Sequence, residues 1–100
     1  MMELHVCNRS GTVLRAFALG DVEDELIIGR DEHCDVQIRS RSVSREHCAI
    51  ENDGQGLLLR DLGSTCGTLL NGERVERVRV ASGLEVSVGP AVLRFRQGAF

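Results

Sequence analysis

Apolar residues along this chain recur with a period near two, a rhythm that admits strands and little else. Leu4 and Val6, Leu26 and Ile28, Val36 and Ile38, Cys48 and Ile50, Val78 and Val80, then Leu84, Val86 and Val88, and Leu93 with Phe95 are each separated by one residue. Successive strand side chains point to opposite faces, so each set lines one face of a sheet. Turn residues fall between them at Arg9-Ser10-Gly11, Leu19-Gly20-Asp21, Asn52-Asp53-Gly54, Leu62-Gly63-Ser64, Asn71-Gly72, Ser82-Gly83 and Gly89-Pro90. Short strands broken by turns about every eight to twelve residues predict a β-sandwich. No segment holds an i, i+3, i+4, i+7 apolar pattern for three turns, so essentially no helix is expected.

Length sets the scale of what such a sandwich can carry. One hundred residues give room for one core and one surface site, and no linker or repeat divides them, so a single domain over residues 1–100 is expected. Hydrophobic residues at 42% and charged residues at 27% place the chain in the ordinary globular range. A net charge of −3 and three aromatic residues, all Phe, oppose nucleic-acid binding, which needs a basic field and stacking platforms. No apolar run approaches the roughly 18 to 20 residues of a membrane span. The start, Met-Met-Glu-Leu-His, lacks a signal-peptide pattern, so a cytoplasmic chain with no membrane partner is expected.

Cys7, Cys34, Cys48 and Cys66 contain no C-x-x-C pair. His33-Cys34 and His47-Cys48 are adjacent residues, which point to opposite faces of a strand and do not converge on one metal. Neither a metal nor a cofactor is expected. Ser44, His47 and Asp61 supply the residue types of a hydrolytic triad, but no nucleophile-elbow sequence surrounds the serine, so catalysis is not expected either.

Chemistry concentrates in two polar loops. Arg39 to Arg45 reads Arg-Ser-Arg-Ser-Val-Ser-Arg, and Gly63-Ser64-Thr65-Cys66-Gly67 follows further on. A phosphate monoester carries about −1.5 to −2 charges and three strong acceptor oxygens. Arginine forks, hydroxyls and main-chain N–H groups in glycine-bearing loops answer those acceptors, and Gly29-Arg30 at a strand end adds another guanidinium. Arg39-x-Arg41-x-x-Ser44 is also similar to a basophilic kinase site, and a phosphate on Ser44 would repel an anionic ligand.

The order of these elements carries a specific resemblance. Gly29-Arg30, Asp35, Ser44-Arg45-Glu46-His47, Asp61-Leu62-Gly63-Ser64-Thr65-Cys66-Gly67-Thr68 and Asn71-Gly72 together resemble the signature of the forkhead-associated (FHA) domain family. The resemblance implies an eleven-stranded, antiparallel-rich β-sandwich that binds phosphothreonine peptides through loops at one end. It implies that Arg30 and Ser44 contact the phosphate, that Thr65 adds a contact from the second loop, and that Arg45 reaches the phosphate or the peptide backbone. Gly29, His47 and Gly67 are architectural in that pattern. Ser42, Arg41 and the segment from Asn71 to Glu73 are candidate selectors of flanking residues. The partner implied is a phosphothreonine-bearing protein, such as a Ser/Thr kinase or its substrate.

Cys66 departs from the pattern, which usually has Asn there to bond the peptide main chain just after the phosphothreonine. A thiol is a weak donor and weak acceptor. The alternative function is therefore a phosphate-independent structural or oligomerisation module whose ligand site has degenerated at Cys66, with an edge strand pairing to a partner or a second copy.

Overall fold

A computed structural model describes residues 1–20, 22 and 24–98; Asp21, the last residue of the turn expected at Leu19-Gly20-Asp21, lies outside them. All regular structure among the described residues is β: β1 (Met2–Cys7), β2 (Val13–Ala18), β3 (Leu26–Gly29), β4 (Val36–Gln37), β5 (Cys48–Asn52), β6 (Leu57–Asp61), β7 (Thr68–Leu70), β8 (Glu73–Arg74), β9 (Arg77–Arg79), β10 (Glu85–Val88) and β11 (Ala91–Gln97). These form one sheet of six strands in the order β2-β1-β11-β10-β7-β8 and one of five in the order β4-β3-β5-β6-β9. No helix of the described residues is long and apolar enough to cross a membrane.

Alternation places the core between the sheets. Leu4 and Val6 of β1, Val86 and Val88 of β10, and Leu93 and Phe95 of β11 are buried from one side. Ile28, Val36, Cys48, Ile50 and Leu59 meet them from the other. Each such side chain removed from water contributes roughly 1.5 to 3 kcal/mol, offset by the entropy of ordering the chain. At Asn71-Gly72 the turn joining β7 to β8 has φ of 52° and 84°, the pair of positive values a tight type I′ hairpin requires.

Register sets where the loops emerge. β3 and β5 are antiparallel with Ile28 opposite Cys48, and β5 and β6 with Cys48 opposite Asp61. Ile28, Cys48 and Asp61 thus stand in one cross-strand row at one end of the five-stranded sheet. The connections carrying Arg30, Ser44 and Thr65 all leave from that row. β4 runs parallel to β3 after a return of only a few residues, and the Asp35 carboxylate closes that return by accepting the Ile27 N–H at 2.8 Å.

Candidate functional site

Gly29 ends β3 directly beneath the first loop. A Cβ placed there would lie 2.2 Å from the Arg45 carbonyl oxygen, a main-chain overlap that no rotamer change relieves. That close approach lets β3 continue pairing beyond its end. Arg30 N–H donates to Ser44 O at 2.9 Å and Asp31 N–H to Arg45 O at 3.2 Å. The loop is a main-chain extension of the sheet, so its side chains are aimed by backbone geometry.

Arg30 is exposed, and its Nε–H donates to Val43 O at 3.0 Å. That bond fixes the guanidinium plane and leaves its two terminal amino groups without a hydrogen-bond partner among the described residues. The Ser44 hydroxyl accepts the Thr65 N–H at 3.0 Å, so its own proton remains to be donated. Arg30, Ser44 and Thr65 are therefore brought together from three loops. Arg45, beside Ser44, is exposed, and Cys66, beside Thr65, is exposed with a free thiol. Arg30, Arg41 and Arg45 meet no carboxylate among the described residues, whereas Arg60, Arg79 and Arg94 pair with Glu25, Asp53 and Glu85. Arg41 lies exposed in the turn from Ser40 to Val43, and Asn71 in the β7–β8 turn. No hydrogen bond among the described residues ties either to the trio.

His47, fully buried, joins the two loops. Its Nδ1 accepts the Ser44 N–H at 3.1 Å and its Nε2 bonds Gly67 O at 2.9 Å. A carbonyl only accepts and a backbone N–H only donates, so the proton sits on Nε2. His47 thus meets neither the Ser44 hydroxyl nor Asp61, and the triad residue types do not assemble into a relay.

Asp61 organises the second loop. Its carboxylate accepts the Ser64 hydroxyl at 2.6 Å, the Thr68 hydroxyl at 2.8 Å and the N–H groups of Gly63 and Ser64 at 2.9 Å. Burial pushes this carboxyl up, but the bonds from Ser64, Thr68 and Gly63 outweigh burial and hold it below the ordinary carboxylate value. Beside it opens a cleft of about 430 Å³ lined by Asp61, Ser64, Gly67, Thr68, Arg74 and Glu76 among others. Arg74 donates from a terminal nitrogen to Thr65 O and lies across Gly67, where a Cβ would sit 2.6 Å from its Nε.

Two contributors escaped the sequence reading. Arg74 carries no motif of its own, and its role follows only from the register Leu69 opposite Arg74 that the tight turn imposes. The other is a clamp on the first loop, in which His33 bridges Asp31 at 2.9 Å and Glu46 at 2.7 Å. Glu46 and then Asp31 raise the His33 pKa above its ordinary value, and His33 in turn lowers that of Asp31. Burial raises the thiol pKa of Cys34, and pushes that of Cys48 up to about 12, so both are inert neutral groups.

The family model of the FHA domain matches residues 26–89. The FHA domain-containing protein FhaA of Mycobacterium tuberculosis is 39% identical over 67 residues, and PS1 of Arabidopsis thaliana 33% over 82. Those matches span 67% and 77% of this chain, but only 13% of FhaA and 6% of PS1. A structure solved in a study of phosphothreonine-dependent FHA domain interactions superposes with a TM-score of 0.81 at 32% identity, covering 99% of this chain and 98% of that one. The FhaA FHA domain complexed with the intracellular domain of Rv3910 gives 0.81 at 33%, covering 96% and 100%. The chain belongs to the FHA domain family.

Proposed function

We propose that residues 1–100 act as one phosphothreonine-binding unit that recruits a phosphorylated cytoplasmic partner and performs no chemistry on it. The disposition around Ser44 carries this reading. The Ser44 hydroxyl accepts the Thr65 N–H and keeps its own proton to donate, and the Arg30 guanidinium has its Nε used by Val43 O and its two terminal amino groups left to donate. Arg30 and Arg45 meet no carboxylate among the described residues, which suits an anion with several acceptor oxygens. Arg45 adds positive charge at the rim and Thr65 a hydroxyl. A similar structure, solved in a study of phosphothreonine-dependent FHA domain interactions, supports threonine as the phosphorylated residue; the partner class proposed is a phosphothreonine-bearing protein such as a Ser/Thr kinase or its substrate.

Titration of one peptide in its phosphothreonine, phosphoserine and unphosphorylated forms tests the reading. Binding should appear with phosphothreonine and vanish without phosphate. Arg30→Ala should cost about 1.5 to 3 kcal/mol, roughly ten- to a hundredfold in affinity. Equal affinity for phosphorylated and unphosphorylated peptide would overturn it.

A further inference from the structure

The outer strands β2 and β4 belong to different sheets, and Arg15 of β2 spans the opening between them by donating to Gln37 O of β4. Beside that bond lies a pocket of about 280 Å³. Its floor is part of the interior: Val6 and Cys7 of β1, Ile38 just after β4 and Ala91 of β11 are all buried. Leu14 and Pro90, both exposed, flank it, and Leu14 at 61% is the most exposed large hydrophobic among the described residues. Apolar surface of this kind gains from any apolar group that replaces water on it.

The charge around the pocket has one sign. Arg15 and Arg39 are its charged residues, in a chain whose net charge is −3. Neither pairs with a carboxylate among the described residues. The Arg15 guanidinium is held by Gln37 O and lies 5.9 Å from the Phe17 ring centroid, whereas the Arg39 side chain makes no hydrogen bond among the described residues. One cation is thus fixed and the other free. Asn8, also at the pocket, has its Oδ1 taken by the N–H groups of Ser10 and Thr12 at 3.1 and 2.9 Å, which leaves its amide protons to donate. Asn8, Arg15 and Arg39 therefore all have donors left, and two of the three are cations.

We propose that this pocket binds a partner protein through a segment in which one large apolar side chain is flanked by carboxylates. Size selects the source of the ligand. Small-molecule pockets commonly hold about 300 to 1,000 Å³ and enclose most of what they bind. This one is smaller and opens between two sheet edges, so it takes a single side chain while the rest of the ligand stays outside, as a peptide does. Charge selects the flanks. Guanidinium forks match carboxylates, and a basic segment would be repelled by both arginines. Arg30, Ser44 and Thr65 do not line the pocket, so this contact stands apart from the phosphate reading.

Amide NMR titration of the full chain with acetyl-Glu-Asp-Leu-Asp-Glu-amide is the test. The controls are the same peptide with glycine for leucine, the same peptide with lysine for each acid, and octanoate as a free amphiphile. The acidic leucine peptide should shift the amides of Cys7, Leu14, Ile38, Arg39 and Ala91 saturably, and the glycine and lysine peptides should bind ~10-fold or more weakly. Arg39→Glu should weaken the acidic peptide ~10-fold or more and strengthen the lysine one, because it reverses the charge at the rim. Leu14→Ala, at an exposed position that the core does not need, should weaken the acidic peptide roughly threefold or more. Absence of a saturable shift, shifts confined to the loops that carry Arg30, Ser44 and Thr65, equal binding of the glycine or lysine control, or indifference to Arg39→Glu would each overturn the proposal. Octanoate binding as tightly as the peptide would overturn it as well, since the pocket would then serve a small amphiphile.

Discussion

The two loops that meet at Ser44 and Thr65 are held by different means. The first loop is stitched into the sheet by main-chain bonds, Arg30 N to Ser44 O, Asp31 N to Arg45 O and His47 N to Ile28 O among them. Between Gly63 and Gly67, no main-chain to main-chain bond is present among the described residues. Its groups are taken up by side chains instead: Asp61 collects two N–H groups, Ser44 the Thr65 N–H, Arg74 the Thr65 carbonyl and His47 the Gly67 carbonyl. A backbone-held loop tolerates side-chain change except where space is lacking, as at Gly29. A side-chain-held loop depends on each partner separately, so point substitutions should discriminate between the two.

His47→Ala tests the link between the loops and should have the largest effect. It leaves the Ser44 N–H and Gly67 O unpaired in a buried place and opens a cavity, together costing about 2 to 4 kcal/mol of stability. Chemical denaturation measures that loss. Amide exchange should speed up more around Thr65 to Gly67 than around Arg30 and Asp31, whose main-chain bonds remain. Equal acceleration of both loops would break the contrast.

Asp61→Asn comes next, at about 1 to 3 kcal/mol near neutral pH, because an amide cannot accept the same four bonds. The pH dependence has a fixed sign. The Asp61 pKa is depressed in the folded state, so its contribution is present above the unfolded carboxylate value and is lost as pH falls through the folded one. The gap between wild type and Asp61→Asn should therefore narrow in acid. Asp53, held down to about 2 by Arg79, lends acid sensitivity of its own that both proteins share. The His33 clamp runs the other way: its pKa is raised, so its contribution is complete below the unfolded histidine value and fades as pH rises through the folded one. Thermal unfolding of Asp61→Asn and His33→Gln across pH should give differences of opposite slope. Parallel slopes would mean that the clamp and the carboxylate do not act on their loops as described.

How far the sequence could be read follows the same division. Alternating segments such as Leu84 to Val88 and Leu93 with Phe95 are strands with the expected faces, because one side of each is buried and the other is not. β2 and β6 were missed for opposite reasons. Leu57 to Leu59 is an unbroken apolar run with no period, and Val13 to Ala18 is an edge with nothing to bury on its outer face. The eleven-strand count came from the family resemblance, not from periodicity. At the site, motif order named Arg30, Ser44 and Thr65, and the geometry shows how they converge. Arg74 and His33 were invisible because their parts depend on cross-strand register and loop closure, which no local pattern encodes.

Cys66→Asn is the smallest effect and the sharpest probe of the side-chain-held loop. Cys66 is exposed beside Thr65, whose N–H and C=O are both engaged, so position 66 is held in place before any ligand arrives. An amide there offers a donor and an acceptor where the thiol offers weak versions of each. Because the loop is already ordered, the substitution should leave stability unchanged and act on ligand binding alone. One new bond to a peptide main chain is worth about 0.5 to 1.5 kcal/mol, roughly two- to twelvefold in affinity. Calorimetric titration with the phosphothreonine peptide should show that gain for Cys66→Asn over the wild type, and Arg30→Ala should weaken binding roughly ten- to a hundredfold in both backgrounds. A gain in folding stability instead would mean that the loop's own order is incomplete, and that Asp61, Arg74 and His47 do not suffice to hold it.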